Sequence, residues 1–413
     1  MARLLRLIAA LLLLAALVPA TAGAAGPAAT RAALASQMRY AGAGSGALAV
    51  DLDSGRTIYA SRADTPRTPA SVEKLYTTAT ALTLYGVEGR LSTRALGDVG
   101  ADPGGLLIGN LYLRGGGDPN FGAPEAGELA DRLILDGGLR EVTGRVIGDE
   151  SAFDSRRGPP SAGFRLTSDV GPLSALTFNR GRTGLRRPYW QPSPPLFAAR
   201  GLERALERRG VLVGGAARAG STPRDALPLA EQPSATMAEL ARVTNRPSDN
   251  FNAETLIKAL GSEFGTGGST GAGALVVRRT MAGFGVLPQV ADGSGLSRAN
   301  RTTPRQVVNL LEHMAQDQTG PAFETSLAVA GRNGTLDRRM RRSIARDRCH
   351  AKTGTLRYVS ALAGYCQTVA GARVAFAFLM NGVNVHGARA LQDRMAAALA
   401  RYSPPAAPPS PSR

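Results

Sequence analysis

Strand patterning lies at both ends of this chain, with helical patterning between. Gly46–Leu52, the turn signal Asp53-Ser54-Gly55 and Arg56–Ala60 read as an early hairpin. Far downstream, Cys349–Thr353, Val359–Thr368 and Arg373–Met380 read as three successive strands, followed by a helix over 388–402. Helical signals at Ser71–Leu84, Met237–Leu240 and Phe251–Leu260 fill the interval. Backbone N–H and C=O groups need partners, so strands at both ends predict one sheet assembled from the two ends. The fold class expected is α/β (α+β), an antiparallel sheet flanked by helices.

A chain of 413 residues exceeds one average domain. Residues 91–229 are richer in Gly, Pro and short strand-like pieces such as Leu106–Leu113, and read as an inserted β-rich unit. That leaves 27–90 plus 230–402 as one split domain. Residues 403–413 form a Pro- and Ser-rich tail, expected to be disordered. At the start, Arg3 and Arg6 precede the apolar run Leu7–Val18 and then small residues, the pattern of a secretory signal over 1–24. An uncleaved anchor is the alternative. The expectation is therefore an exported protein of the periplasm or extracytoplasmic wall space, with no integral membrane segment once the signal is removed.

The formal charge of +17 does not mark a nucleic-acid binder. Its densest run, Arg338–Arg348, has no aromatic residue on which a base would stack, and reads as a solvated basic face. Two cysteines and three histidines argue against a zinc cluster or a His-rich metal site, and no metal or organic cofactor is implied.

Arginine supplies 46 of the 49 cations, and the three lysines are Lys74, Lys258 and Lys352. Arginine stays charged where an ammonium can be tuned into a base, so lysines surviving such a bias are candidates for chemistry. Ser71-Val72-Glu73-Lys74 sets a hydroxyl and an amine three residues apart at a helix start, on one face. The positive helix end favours the neutral amine, which can take the serine proton. A capping serine and a solvated lysine is the plainer reading of that tetrad alone. Ser248-Asp249-Asn250 offers a second hydroxyl and an amide at a turn, or an ordinary helix cap. Lys352-Thr353-Gly354-Thr355 places a cation and two hydroxyls on a strand, suited to a carboxylate, with Gly354 letting a substrate backbone lie close.

Together, Ser71-x-x-Lys74, Ser248-x-Asn250 and Lys352-Thr353-Gly354 resemble the signatures of penicillin-binding proteins and serine β-lactamases. The wide gap between the first two is similar to that of the D-Ala-D-Ala carboxypeptidase/endopeptidase family of low-molecular-mass penicillin-binding proteins, peptidase family S13. Leu113–Pro119, Asp149–Asp154, Gly171–Thr177, Asp292–Arg298 and Ala351–Leu356 also look like runs of that family. The insertion is shorter than in its larger members.

The resemblance implies a penicillin-binding-protein-like fold and a serine-type hydrolase acting on peptidoglycan stem peptides, with β-lactam antibiotics as covalent inhibitors. It makes Ser71 the nucleophile and Lys74 its base. Ser248 becomes the proton relay, and Asn250 a ligand of Lys74 and of the substrate. Lys352, with its positive field, joins Thr353 and Thr355 in binding the terminal carboxylate. Asp154 is a candidate for the amino end of a diamino-acid stem peptide, a surface aspartate being the simpler reading; Asp292 and Arg298 frame the site. A serine β-lactamase or esterase, and a non-catalytic wall- or β-lactam-binding protein, are the competing readings. Cys349 and Cys366 flank a turn at nearly equal distances, so antiparallel pairing would bring them face to face, able to form a disulfide outside the cell or to stay a thiol pair. The Gly-rich run 265–273 lacks a phosphate-loop ending and reads as a flexible connector.

Overall fold

The computed structural model describes residues 23–184 and 189–405. Residues 1–22 of the expected signal and 406–413 of the expected tail lie outside the described residues.

Helix α1 (Pro27–Tyr40) precedes strands β1 (Ser45–Asp51) and β2 (Thr57–Ser61). A 3-10 turn over Ala70–Glu73 runs into helix α2 (Lys74–Tyr85). Next come β3 (Ser92–Gly97), β4 (Leu106–Leu107), β5 (Leu111–Gly115), α3 (Ala123–Leu135), β6 (Glu141–Asp149), α4 (Pro194–Glu207), β7 (Leu212–Ala219) and β8 (Leu227–Pro233). Helices α5 (Met237–Asn245), α6 (Asn250–Phe264), α7 (Thr270–Gly283), α8 (Pro304–Gln316) and α9 (Gly320–Thr325) follow. Strands β9 (Ala328–Val329), β10 (Cys349–Leu356), β11 (Val359–Gln367) and β12 (Arg373–Asn381) lead to helix α10 (Val385–Ala400).

The two chain ends share one sheet, in the order β2-β1-β12-β11-β10-β9. Every pairing in it is antiparallel, and the ends join where Ser45 faces Met380 and Asp51 faces Val374. Strands β1, β11 and β12 are buried almost throughout, because helices cover both faces. Successive side chains point to opposite faces. Phe376, Phe378 and Met380 therefore pack with Leu34 of α1 and Met395 of α10. Ala375, Ala377 and Leu379 pack on the other face with Leu75 of α2, Leu240 of α5 and Leu311 of α8. Each fully buried Phe or Leu stabilises the fold by roughly 1.5–3 kcal/mol, so this three-layer core is a stiff platform.

A second sheet, ordered β4-β6-β5-β3-β8 with β7 also on β6, lies wholly between Ser92 and Pro233. It is mixed: β3 pairs antiparallel with β5 and β8, whereas β6 runs parallel to β4, β5 and β7. Its own core draws Leu113, Val142 and Val146 against Leu129 of α3 and Leu202 of α4. The Gly-rich run is not a loose connector. Ser269 caps α7 by accepting from the Ala272 N–H, and a Cβ on Gly273 would stand 1.8 Å from the Ile257 carbonyl oxygen. Glycine there allows α6 and α7 to pack closely. Among the described residues, no helix is long and apolar enough to cross a membrane.

Candidate active site

Ser71 sits in the 3-10 turn and Lys74 is the first residue of α2. The ordered stretch from Ala70 to Leu82 is almost entirely buried, which locks the spacing of the two side chains. Lys74 Nζ lies 3.1 Å from Ser71 Oγ, 2.7 Å from Asn250 Oδ1 and 2.6 Å from the Ser294 carbonyl oxygen. Asn250 opens α6, whose N-cap Asp249 accepts from the Asn252 N–H at 2.9 Å. Just before it, Ser248 holds a left-handed backbone with φ 65°. That turn sends Ser248 toward β10, where Lys352 Nζ donates to its Oγ at 2.8 Å and to the Thr353 carbonyl at 2.9 Å.

Both lysines are fully buried, and desolvation disfavours their charge. Their surroundings differ. Burial lowers Lys74 to about 8, opposed by the negative charges of Asp292, Glu254, Asp249 and Glu73. Burial lowers Lys352 well below the ordinary lysine range, and the charge of Lys74 lowers it further. Lys74, not Lys352, is thus the amine that better keeps a proton. Three acceptors around Lys74 Nζ also suit an ammonium. This differs from the division of charge expected from sequence, because Asp292, Glu254 and Asp249 come from distant segments to join Glu73.

Three of those acids, Glu73, Glu254 and Asp292, form a buried group behind Lys74. Burial pushes Glu254 up to about 8, and raises Asp292 and Glu73 as well. Glu254 Oε1 accepts from the Ser294 N–H at 2.9 Å. Asp292 accepts from the Gly295 and Ser297 N–H groups and from Asn300 Nδ2, at 2.8, 2.6 and 2.7 Å. These bonds shape the 292–300 loop so that the Ser294 carbonyl meets Lys74. Glu73 has no hydrogen-bond partner for either carboxyl oxygen among the described residues. Sequence reasoning gave Asp292 only a framing role and missed Glu254 and Glu73. Glu254 carried a usable signal: it lies four residues after Asn250 on one helix, hence on the same face.

Ser71, Ser248, Asn250, Thr353 and Thr355 line one cavity of about 800 Å³. Thr353 and Thr355 share a strand face. Thr353 Oγ1 is 2.8 Å from Thr335 Oγ1, and Thr355 Oγ1 accepts from Arg389 Nη2 at 3.1 Å. Gly354 also makes a close approach within the protein itself. A Cβ there would stand 2.6 Å from the Pro69 carbonyl oxygen and 3.2 Å from Ala70 Cβ. The backbone it admits there is the protein's own, at the turn that carries Ser71. A disulfide joins Cys349 to Cys366, which face each other in the β10–β11 register.

Asp154 is not among the residues lining this cavity. Its Oδ1 accepts from the buried Lys258 Nζ at 2.6 Å, and Lys258 also donates to the Arg156 carbonyl at 2.7 Å. The third lysine ties the 150–157 segment to α6, and the Asp154 carboxylate is already engaged. Arg298 reaches outward, donating to the Arg357 carbonyl at 2.6 Å.

In fold, the chain is similar to penicillin binding protein 4 (dacB) from Haemophilus influenzae, with TM-score 0.73 at 20% identity, covering 88% of this chain and 97% of that one. In sequence, it is 28% identical to a D-alanyl-D-alanine carboxypeptidase of Actinomadura sp. (strain R39) over 449 residues, 89% of this chain and 83% of the relative. It is 32% identical to carboxypeptidase DacB of Mycolicibacterium smegmatis over 384 residues, 84% of this chain and 78% of the relative. Residues 28–192 and 182–402 match the D-Ala-D-Ala carboxypeptidase 3 (S13) family. A hydrogen-bonded Ser71–Lys74–Asn250 cluster beside a sheet closed by both chain ends accords with that match, and the chain belongs to the D-Ala-D-Ala carboxypeptidase 3 (S13) family.

Proposed function

We propose that this protein is a serine-type D-alanyl-D-alanine carboxypeptidase/endopeptidase of peptidoglycan, working through an acyl-enzyme on Ser71 and inhibited covalently by β-lactams. The observation that carries this reading is the buried Lys74 Nζ, at 3.1 Å from Ser71 Oγ and 2.7 Å from Asn250 Oδ1, directly behind two residues that line the cavity.

Ser71 Oγ attacks the carbonyl carbon of the terminal D-Ala-D-Ala bond while neutral Lys74 accepts its proton. The backbone N–H groups of Ser71 and Thr355 hold the oxyanion; losing one such donor costs roughly 3 kcal/mol in other acyl-transfer enzymes. Collapse breaks the C–N bond, and Ser248 passes a proton from the lysine pair to the departing amine. Water then attacks the ester, with Lys74 again taking a proton, and releases the shortened peptide and Ser71.

Thr353, Thr355 and Lys352 receive the substrate carboxylate. An incoming carboxylate restores the charge on Lys352, and two buried ammonium groups repel, so carboxylate binding drives the proton off Lys74. The base is thereby armed when substrate arrives. In this reading residues 27–90 and 230–402 form the catalytic unit, residues 91–229 are the insert, and residues 1–24 direct export to the wall space.

Labelling with fluorescent penicillin tests this. The parent should carry an adduct on Ser71 by mass spectrometry, and Ser71→Ala and Lys74→Ala should not be labelled. The parent should also release D-alanine from a stem pentapeptide. A missing adduct on Ser71, or no D-alanine release, refutes the reading; rapid turnover of a chromogenic cephalosporin would establish a β-lactamase instead.

A further inference from the structure

We propose that Arg180, carried by the loop between β6 and α4, is a positioning residue that grips the Ser248–Asn250 turn and neutralises Asp249, whose charge acts on Lys74. The inference rests on the catalytic reading above.

One side chain contacts three residues in the first turn of α6 and its cap, Asp249, Phe251 and Asn252. Arg180 Nη2 donates to Asp249 Oδ2 at 2.6 Å, and Nη1 donates to Asn252 Oδ1 at 2.9 Å. The guanidinium carbon also lies 5.1 Å from the centre of the Phe251 ring. The other Asp249 oxygen caps α6. The carboxylate is thus shared between the helix start and the arginine. Its chain neighbours on either side are Ser248, which meets Lys352, and Asn250, which meets Lys74. Ser248 is in a left-handed conformation that a residue with a side chain seldom adopts, so the turn needs holding from outside.

The loop that presents Arg180 is itself held in an uncommon shape. Asn179 and Arg180 both have left-handed backbones, with φ 47° and 57°. The buried Gln191 fixes them by donating from Nε2 to the carbonyls of Phe178 and Arg182, both at 2.9 Å. Asn179 is tied to the start of α3: its N–H donates to the Phe121 carbonyl at 3.0 Å, and its Oδ1 accepts from the Ala123 N–H at 3.3 Å. Two unfavoured conformations in succession, buttressed on both sides, are what a segment shows when the direction of one side chain matters.

Charge gives the second half of the role. The charged groups acting on Lys74 are Glu73 from the 3-10 turn, Asp249 and Glu254 from the cap and body of α6, and Asp292 from the loop before α8; the neighbouring amine Lys352 of β10 is itself held below the lysine range by burial and by Lys74. Of the four acids, Asp249 alone has an arginine salt-bridge partner among the described residues. Its charge is therefore the one that an outside residue already offsets. Without Arg180, Asp249 would act on Lys74 unopposed and hold a proton there to higher pH.

The test is the second-order rate of Ser71 acylation by fluorescent penicillin from pH 6 to 10, for the parent, Arg180→Met, Arg180→Lys and Arg180→Met/Asp249→Asn, with thermal melting of each. Arg180→Met should lose roughly ten-fold or more in limiting rate, since a misplaced turn costs orientation. Its pH midpoint should rise by about half a unit. Arg180→Lys should keep the parent midpoint but remain slow, because one ammonium cannot fork between Asp249 and Asn252. Adding Asp249→Asn should return the midpoint of Arg180→Met to that of the parent without recovering the rate. A purely structural contact would leave the midpoint where it was. Arg180→Met with parental rate and midpoint overturns the proposal, and an unmoved midpoint with a lower rate overturns its electrostatic half. Should Arg180→Met fail to fold, Arg180→Lys acylated at the parental rate overturns the grip. Failure to label the parent is a different result, which refutes the catalytic reading itself.

Discussion

Gly354→Ala is the sharpest test of how the nucleophile is held. The added methyl would stand 2.6 Å from the Pro69 carbonyl oxygen, with Ala361 Cβ at 3.1 Å and Ala70 Cβ at 3.2 Å. Contact on both sides leaves no rotamer of escape, since a methyl has none. Relief requires β10 and the Ser71 turn to separate by roughly half an ångström or more, because tightly packed interiors shift before they compress. Strand β10 cannot retreat easily, being paired with β11 along its length and bonded to it through Cys349–Cys366. The turn moves instead, and with it Ser71 Oγ, now 3.1 Å from Lys74 Nζ. A misplacement near 1 Å costs about 100-fold in rate, so half that distance predicts a loss of roughly ten-fold or more. Overpacking should also cost about 1–3 kcal/mol of stability. The assay pairs penicillin acylation rate with urea unfolding, with Gly283→Ala as control because a Cβ there meets nothing within 4 Å. Gly354→Ala acylated within two-fold of the parent rate would show that this close approach does not set the nucleophile, and the reasoning would fail.

Three further outcomes are expected. Acylation of the parent should rise with pH through about 8, where Lys74 loses its proton: the neutral amine is the reactive form, roughly one tenth of the total at pH 7, and Lys74→Arg should lose at least about 1,000-fold. A profile flat from pH 6 to 9 contradicts this. Glu73→Met should stabilise the fold by roughly 1–3 kcal/mol, because a buried carboxyl without hydrogen-bond partners among the described residues is replaced by an apolar chain. Burial raises the folded-state value of Glu73, so the parent loses stability as pH rises above the unfolded carboxyl range, and the gain should be larger at pH 8 than at pH 5 in urea unfolding. Cys349→Ala/Cys366→Ala, which opens a closure spanning 17 residues, should lower stability by about 2–3 kcal/mol while leaving acylation at 25 °C near that of the parent; an unchanged melting temperature would refute it.

Local patterning made much of this protein legible from its sequence. Strand-like runs at both chain ends foretold one shared sheet, since unpaired strands at opposite ends have each other as the available partners. The rarity of lysine pointed to Lys74 and Lys352, because only an amine can be tuned where arginine cannot. The same signal did not foretell that Lys258 would bind Asp154 and so occupy a residue expected to meet substrate. Spacing within one helix would have found Glu254 beside Asn250, yet helical periodicity alone does not tell a buried acid from a solvated one.

What only the tertiary structure decided concerns interactions between distant segments. Which lysine keeps its proton depends on acids brought from the 3-10 turn, α6 and the 292–300 loop, and Coulomb energies follow distance in space and depth of burial, neither written in sequence order. That Gly354 lies so near the Pro69 carbonyl, 2.6 Å from where a Cβ would stand, is likewise set by packing between distant segments. The arginine that holds the Ser248 turn comes from 69 positions upstream of Asp249, through a strained loop whose shape is set by packing rather than by any local preference.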